Sequence, residues 1–301
     1  MRWVTCALSP GSPPTAALLE DETLFLLQEG TTLVSLLGDD GEKLATAADH
    51  ARKDPHKTAA PGAVTLLPPI PRPGTVRDFY AFEQHVKVAR QRRGLEMEPL
   101  WYKLPVFYFS NPYALIGDGA GITPPRQSRE LDFELEAAAI MGMGGRDIPA
   151  SQARRHIAGF CIMNDWSARD LQRDEMKLSM GPVKGKDFAT SLGPCMVTPD
   201  ELEDCREGTA FHLSMKASVN GIPYSTGLLS DLHWSFEEMI AYASRDASCE
   251  PGDVIGSGTC GTGCILELAL VHGSEQYPWL KSRDTVRLEI DRLGSLSNQV
   301  A

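Results

Sequence analysis

The sequence predicts an α+β, mainly β fold, with a small N-terminal α+β domain over residues 1–70 and a larger domain over 71–301. Three observations carry this. Strand-like segments outnumber helical ones in the larger part and show no regular βαβ rhythm, which disfavours a doubly wound sheet. Pro68-Pro69-Ile70-Pro71-Arg72-Pro73-Gly74 places four prolines in seven residues. Proline continues neither a helix nor a central strand, so the boundary falls there. The 301 residues suffice for one or two domains whose cores need no staples.

The elements follow in order. In the first 67 residues, short apolar stretches such as Leu24–Leu27 and Leu33–Leu37 alternate with polar turns such as Gly38-Asp39-Asp40-Gly41. Residues 80–93 lack Gly and Pro and predict a helix, stopped at Gly94. Leu131–Ala137 alternates with period two, as a strand does. Ile157–Met163 is an apolar run that predicts a buried strand ending in Asn164-Asp165. Asn220-Gly221, between Leu213–Val219 and Ile222–Thr226, is a hairpin signal. Ser235-Phe236-Glu237-Glu238 is a capping box that opens a helix to about Ser244. Ile265–Val271 predicts one more strand.

Composition narrows the function. The formal charge of −11 argues against a nucleic-acid partner, which asks for a basic face. No apolar run approaches the ~20 residues that span a bilayer. The start of the chain reaches Pro10-Gly11 too soon for a secretory h-region, so a cytoplasmic protein is expected. Seven scattered cysteines without Cys-x-x-Cys form neither a disulfide framework nor a zinc knuckle. Cys260 and Cys264 read as small residues in a Gly-rich turn. Lys184-Gly185-Lys186 lacks the P-loop pattern, and Gly256–Gly263 does not open a helix as a dinucleotide loop does. Its glycines suit a backbone that approaches a small carboxylate or phosphate.

Glu134 and Glu136 stand at i and i+2, on one face of the predicted strand. Two carboxylates so close repel unless a cation or a proton separates them, and a hard divalent cation favours such oxygens. Spacing alone leaves a second reading open, a solvated strand face shared with Asp132. Asp165, at the end of an apolar strand, reads as a ligand at the core's rim or as a cap. Asp78 reads as an N-cap or a ligand. His85 follows Asp78 by seven residues, about two helical turns. A general base needs a partner that fixes its tautomer; Glu267 is a candidate that sequence cannot place beside it.

Taken together, these stretches resemble the fumarylacetoacetate hydrolase family. The resemblance rests on Asp78-Phe79-Tyr80 with His85, Leu131–Glu136, and Asn164-Asp165-Trp166-Ser167-Ala168-Arg169-Asp170-Leu171-Gln172. Gly185–Thr190 with Leu192-Gly193-Pro194, Pro251–Ile255, and Gly258-Thr259 continue it, so that it covers about residues 70 to 270. It implies a mixed β-roll catalytic domain and a homodimer. By resemblance, Glu134, Glu136, Asp165 and Asp78 hold Mg²⁺ (or Mn²⁺ or Ca²⁺). His85 activates water, Glu267 orients it, and Lys186 acts with them. Tyr80, Tyr108, Arg169, Gln172 and Thr259 contact the substrate.

The implied reaction is hydrolysis of a C–C bond in a β-diketo acid of fumarylacetoacetate or acylpyruvate type, with Lys186 and Gln172 donating to the oxyanion. The substrate is a small anionic keto acid. Rival readings on the same site are decarboxylation of an oxaloacetate-like acid and isomerisation or hydration of a 2-hydroxydienoic acid. A non-catalytic metal-dependent binder is a third. Three departures put substrate identity in question: Met176 where a substrate-contacting Tyr is expected, Cys260 in place of Pro, and a short N-terminal module. The 80–103 segment, with Trp101 and Tyr102, is expected to cover the site. Arg90, Arg92 and Arg93 are read as a solvated helix face or as partners of a second substrate carboxylate.

Overall fold

Buried apolar runs form the centre of the main sheet. In the computed structural model, which describes residues 1–92 and 94–301, Leu135–Met141 and Ile157–Asp165 are buried along their whole length. They pair antiparallel, from Leu135 opposite Asn164 to Met141 opposite Ile157. Among the described residues the sheet has twelve strands. Its path runs Lys57–Ala59, Thr23–Leu26, Thr15–Glu20, Arg2–Ala7, Thr190–Val197, Ile157–Asp165, Leu135–Met141, Val254–Gly256, Val76–Phe79 and Phe107–Ser110. Arg2–Ala7 pairs with Thr190–Val197, so hydrogen bonding crosses the boundary placed at residue 70.

A sheet buried on both faces needs two covers. Leu135, Ala137 and Ala139 share one core with Phe160 and Ile162. Over it lies a second sheet, in the order Ile222–Leu228, Ser214–Val219, Thr285–Ile290, Gly294–Val300 and Gly121–Ile122, which contributes Met215, Ala217, Val286 and Leu288. Ala138 and Ile140 share the other core with Cys161 and Met163. That face is covered by the helix Glu42–Lys53 through Leu44, Ala48 and Ala51.

Several local readings hold. Asn220 and Gly221, at φ 52° and 78°, join Ser214–Val219 to Ile222–Leu228, as a two-residue turn with both central residues left-handed requires. The capping box of Ser235 and Glu238 opens the helix Phe236–Ala243. Two readings need correction. Leu131–Ala137 is not one strand: Leu131–Asp132 and Leu135–Met141 are separate, with Phe133 and Glu134 between them. Ile265–His272 is a helix, not a strand. A short apolar run serves either form. Here the Asp132 carboxylate accepts from the amides of Ile265 (2.7 Å) and Leu266 (3.0 Å), donors that the first turn of a helix leaves unpaired. No helix among the described residues is long and apolar enough to cross a membrane.

One buried ion pair fixes the strand Val76–Phe79. Asp253 accepts from the Thr75 amide (2.8 Å) and from Arg77 (3.2 Å), and both charged side chains are buried. Asp253→Ala leaves Arg77 charged and unpaired. It should cost about 3–5 kcal/mol of stability, read as a lower midpoint in urea unfolding.

Candidate active site

Three carboxylates rise from one face of the main sheet. Side chains at i and i+2 share a face. Asp78 therefore shares one with Val76, Glu136 with Ala138, and Asp165 with Met163, all of the core under the helix Glu42–Lys53. Gly256 stands on the strand between Asp78 and Glu136, paired with Ala138 on one side and Asp78 on the other. A Cβ on Gly256 would press into Met163 Cε and Asp78 Oδ1. The missing side chain lets the carboxylates converge. Glu134 enters from the strand break, where its amide donates to Asn164 Oδ1 (2.9 Å). One oxygen from each of Asp78, Glu134, Glu136 and Asp165 lies within 4.8 Å of the others, and all four residues are buried.

The break corrects the pattern read from spacing. Asp132 does not share the carboxylate face; it caps the helix Ile265–His272 and binds Arg169 (2.8 Å). Asp78 is no N-cap. It lies in a strand, and its Oδ1 accepts from the Gly258 amide (3.2 Å). The Asp78 to His85 spacing is not two helical turns either, because the helix runs only Glu83–Arg92. The Gly-rich loop does approach a carboxylate, but the protein's own: Gly258, at φ 77°, packs against the Phe79 carbonyl.

Two cations sit among these acids. Lys186 donates to Glu134 Oε2 (2.5 Å) and to Asp165. Arg169 reaches Glu134 Oε1 (2.7 Å) as well as Asp132. Thr259 donates to Glu136 Oε1 (3.3 Å), and the Tyr108 hydroxyl donates to Asp165. Glu136 Oε2 and Asp165 Oδ1 remain buried without a hydrogen-bond partner. Burial and the Asp165 charge push the Asp78 carboxyl well up. Burial, with Asp78 and Glu134, does the same to Glu136. Glu134 goes the other way: burial raises it, but Lys186 and then Arg169 hold it well below the carboxylate range. Two orphaned oxygens in an oxygen-only donor set fit a hard divalent cation.

Beside the cluster, His85 Nδ1 donates to Glu267 Oε1, joining two helices that pack together. The second Glu267 oxygen accepts from the Thr262 amide (2.8 Å), which the left-handed Thr262 (φ 62°) presents. A carboxylate cannot donate, so His85 presents its Nδ1–H to Glu267. Tyr80 stands edge-on to the imidazole, with ring centroids 5.5 Å apart. Arg169 also donates to Gln172 Oε1 (3.0 Å).

A cavity of about 960 Å³ opens over these groups. Asp78, Tyr80, His85, Tyr108, Glu134, Glu136, Arg169, Gln172, Lys186 and Thr259 line it, with Asp165 and Glu267 buried behind. The fold thus gathers all twelve residues singled out in the sequence. The cover differs from expectation. Ala89, Arg92 and Leu95 line the cavity, but Trp101 and Tyr102 do not. Trp101 packs tilted against His233 (ring centroids 4.7 Å apart) and donates to the Tyr80 carbonyl (2.8 Å), and Tyr102 donates to Glu83. Arg90 turns to the Glu96 carbonyl (2.6 Å); Arg93 lies outside the described residues. Met180, Gly181 and Pro182 form a wall that sequence reasoning missed, although Gly181-Pro182 is a loop signal.

The sequence model described as fumarylacetoacetate (FAA) hydrolase C-terminal matches residues 74–301. The chain belongs to the fumarylacetoacetate hydrolase family. Fumarylacetoacetase of Arabidopsis thaliana is 30% identical over 245 residues, 65% of this chain but only 58% of that protein. The mitochondrial oxaloacetate tautomerase of Xenopus laevis is 29% identical over 269 residues, 86% of this chain and 76% of that protein. The solved fumarylacetoacetate hydrolase of Exiguobacterium antarcticum superposes with a TM-score of 0.76 at 25% identity, covering 100% of this chain and 99% of that one. At 20% identity, a maleylpyruvate hydrolase from Sphingobium sp. SYK-6, solved with manganese(II) and pyruvate, shares the fold (TM-score 0.74; 100% of this chain and 99% of that one). Activities in this family thus include both hydrolysis and tautomerisation.

A divalent cation that binds the folded cluster should stabilise the protein, by about 2.7 kcal/mol at a hundredfold excess over Kd. Without it, Asp78 and Glu136 hold protons more tightly folded than unfolded. Folded stability then falls as pH rises above the ordinary carboxylate range. The gain from Mg²⁺ or Mn²⁺ should therefore grow with pH and vanish in Glu136→Gln, measured as the shift in thermal midpoint.

Proposed function

We propose that this protein is a Mg²⁺-dependent hydrolase that cleaves a C–C bond in a β-diketo acid of fumarylacetoacetate or acylpyruvate type. The observation that carries it is the His85–Glu267 pair set beside the four-carboxylate cluster in one cavity. Hydrolysis needs an activated water, and a histidine whose tautomer a carboxylate fixes can supply one, whereas tautomerisation needs none.

A Mg²⁺ or Mn²⁺ held by Asp78, Glu134, Glu136 and Asp165 would supply Lewis acidity and a template for the keto acid's oxygens. Mn²⁺ with pyruvate in the Sphingobium enzyme supports that pairing of cation and 2-keto acid. The protein's residues do the rest. His85 Nε2 takes a proton from water while Glu267 holds the Nδ1 proton, which fixes the tautomer. The hydroxide adds to the distal carbonyl. Lys186 and the amide NH₂ of Gln172 donate to the oxyanion; Arg169 holds Gln172 by its oxygen, which leaves that NH₂ for the ligand. Collapse breaks the C–C bond. The acyl fragment leaves as a carboxylic acid that loses its remaining proton to solvent, and the proton His85 took from water returns to the carbon of the keto-acid fragment.

A second reading is tautomerisation of a 2-keto acid. The specific observation for it is that alignment to the oxaloacetate tautomerase spans 86% of this chain, against 65% for fumarylacetoacetase. His85 would then move a substrate proton rather than a water proton.

Mass spectrometry of products from an acylpyruvate, fumarylacetoacetate and oxaloacetate, with and without Mg²⁺, separates these. Two fragments support hydrolysis; an unchanged mass with a shifted keto–enol ratio supports tautomerisation. His85→Ala should lower hydrolysis by about 10²–10⁴-fold while the Mg²⁺ shift in thermal midpoint persists. Full activity in that variant would overturn the role given to His85.

A further inference from the structure

The proposed chemistry uses His85 and Glu267 but not the buried thiol beside them. Cys264 is the N-cap residue of the helix Ile265–His272, and its Sγ lies 4.0 Å from Glu267 Oε1. His85, Cys264 and Glu267 each offer a ligand atom within 4.8 Å of the others, and all three residues are buried. This set differs in kind from the four carboxylates. It offers one imidazole nitrogen, one thiolate sulfur and one carboxylate oxygen, a donor set that suits a borderline-soft cation such as Zn²⁺. The all-oxygen cluster suits a hard cation such as Mg²⁺. With Zn–S near 2.3 Å and Zn–O near 2.1 Å, two ligands of a tetrahedral zinc stand about 3.6 Å apart. The sulfur and oxygen of Cys264 and Glu267 already lie within a few tenths of that, and His85 Nδ1, now hydrogen-bonded to the same oxygen, moves apart from it as the cation replaces the shared proton.

We propose that His85, Cys264 and Glu267 form a second, inhibitory site for a thiophilic divalent cation, distinct from the carboxylate cluster. Three protein ligands leave a fourth position open. The thiol proton goes to solvent as the sulfur coordinates. The imidazole proton moves from Nδ1 to Nε2, because Nδ1 gives its lone pair to the cation. Nε2, the nitrogen given the base role above, then carries a proton and no longer accepts one. This inhibitory consequence rests on the base role proposed above for His85; the binding itself does not.

Co²⁺ is the probe for binding, since a thiolate ligand gives it a near-ultraviolet charge-transfer absorption. Mg²⁺-saturated protein should develop that absorption with one equivalent of Co²⁺. Cys264→Ser should lose it, and Cys205→Ser, at the one cysteine that is not buried, should keep it. Zinc-edge X-ray absorption on the wild-type protein, loaded with Mg²⁺ and one equivalent of Zn²⁺, does not depend on how the variants fold. One sulfur in the zinc shell supports the site, and an all-oxygen shell overturns it. In turnover assays, Zn²⁺ should inhibit the Mg²⁺-loaded wild type at concentrations at least tenfold below those needed for Cys264→Ser. No thiolate absorption, or absorption that survives in Cys264→Ser, overturns the site even if the protein proves to be no hydrolase. Zinc inhibition relieved by excess Mg²⁺ and unchanged in Cys264→Ser overturns the inhibitory role.

Discussion

Four carboxylates held out of water within a few ångströms of one another are the constraint on which the rest of the site depends. Burial disfavours each charge, and each charge disfavours the others. Two buried cations and a rim of hydroxyl and amide donors offset part of this, yet two oxygens keep no partner. A scaffold that tolerates such repulsion must be stiff. Asp78, Glu136 and Asp165 accordingly stand on buried strands paired on both sides rather than on loops, and Glu134 is tied to the neighbouring strand by the Asn164 side chain.

Stiffness is shared with the helix that carries Glu267. Asp132 holds Arg169 and also takes the first amides of the helix Ile265–His272. Through that one carboxylate, the residue before the strand break positions both the guanidinium that binds Glu134 and the helix that presents Glu267 to His85. The cation cluster and the acid–base pair thus share a support. The wall from Met176 to Pro182 exposes apolar side chains, with Met180 82% exposed, and is closed at its base by Glu175, whose carboxylate accepts from the amides of Val183 (2.8 Å) and Gly185 (3.0 Å).

Much of this was legible in the sequence. An apolar run located the strand Ile157–Asp165, Asn220-Gly221 and Ser235–Glu238 located a turn and a helix start, and the acidic residues stood out by spacing, whereas alternation over Leu131–Ala137 reached only the first residues of Leu135–Met141. What failed did so for one reason: the deciding partner was distant in the chain. Ile265–His272 becomes a helix because Asp132 takes its first amides. Asp132 leaves the carboxylate face because Arg169 draws it away. Asp78 and His85 line one cavity from a strand and a separate helix, not along one helix. The role of Gly256 is invisible to composition, since it consists of the side chain that is missing between two acids.

The pairing of Arg2–Ala7 with Thr190–Val197 bears on how the chain is made. On the ribosome Arg2–Ala7 emerges long before Thr190–Val197, its neighbour in the main sheet, is synthesised. Until then the segment has only its local partners, Thr15–Glu20 and Thr65–Leu67, and one stretch of its edge stays open. Open edges recruit other chains. The strand that receives this edge is also the one that pairs with Ile157–Asp165. Vectorial synthesis thus seals the N-terminal part against the sheet only after the strand bearing Asp165 has appeared.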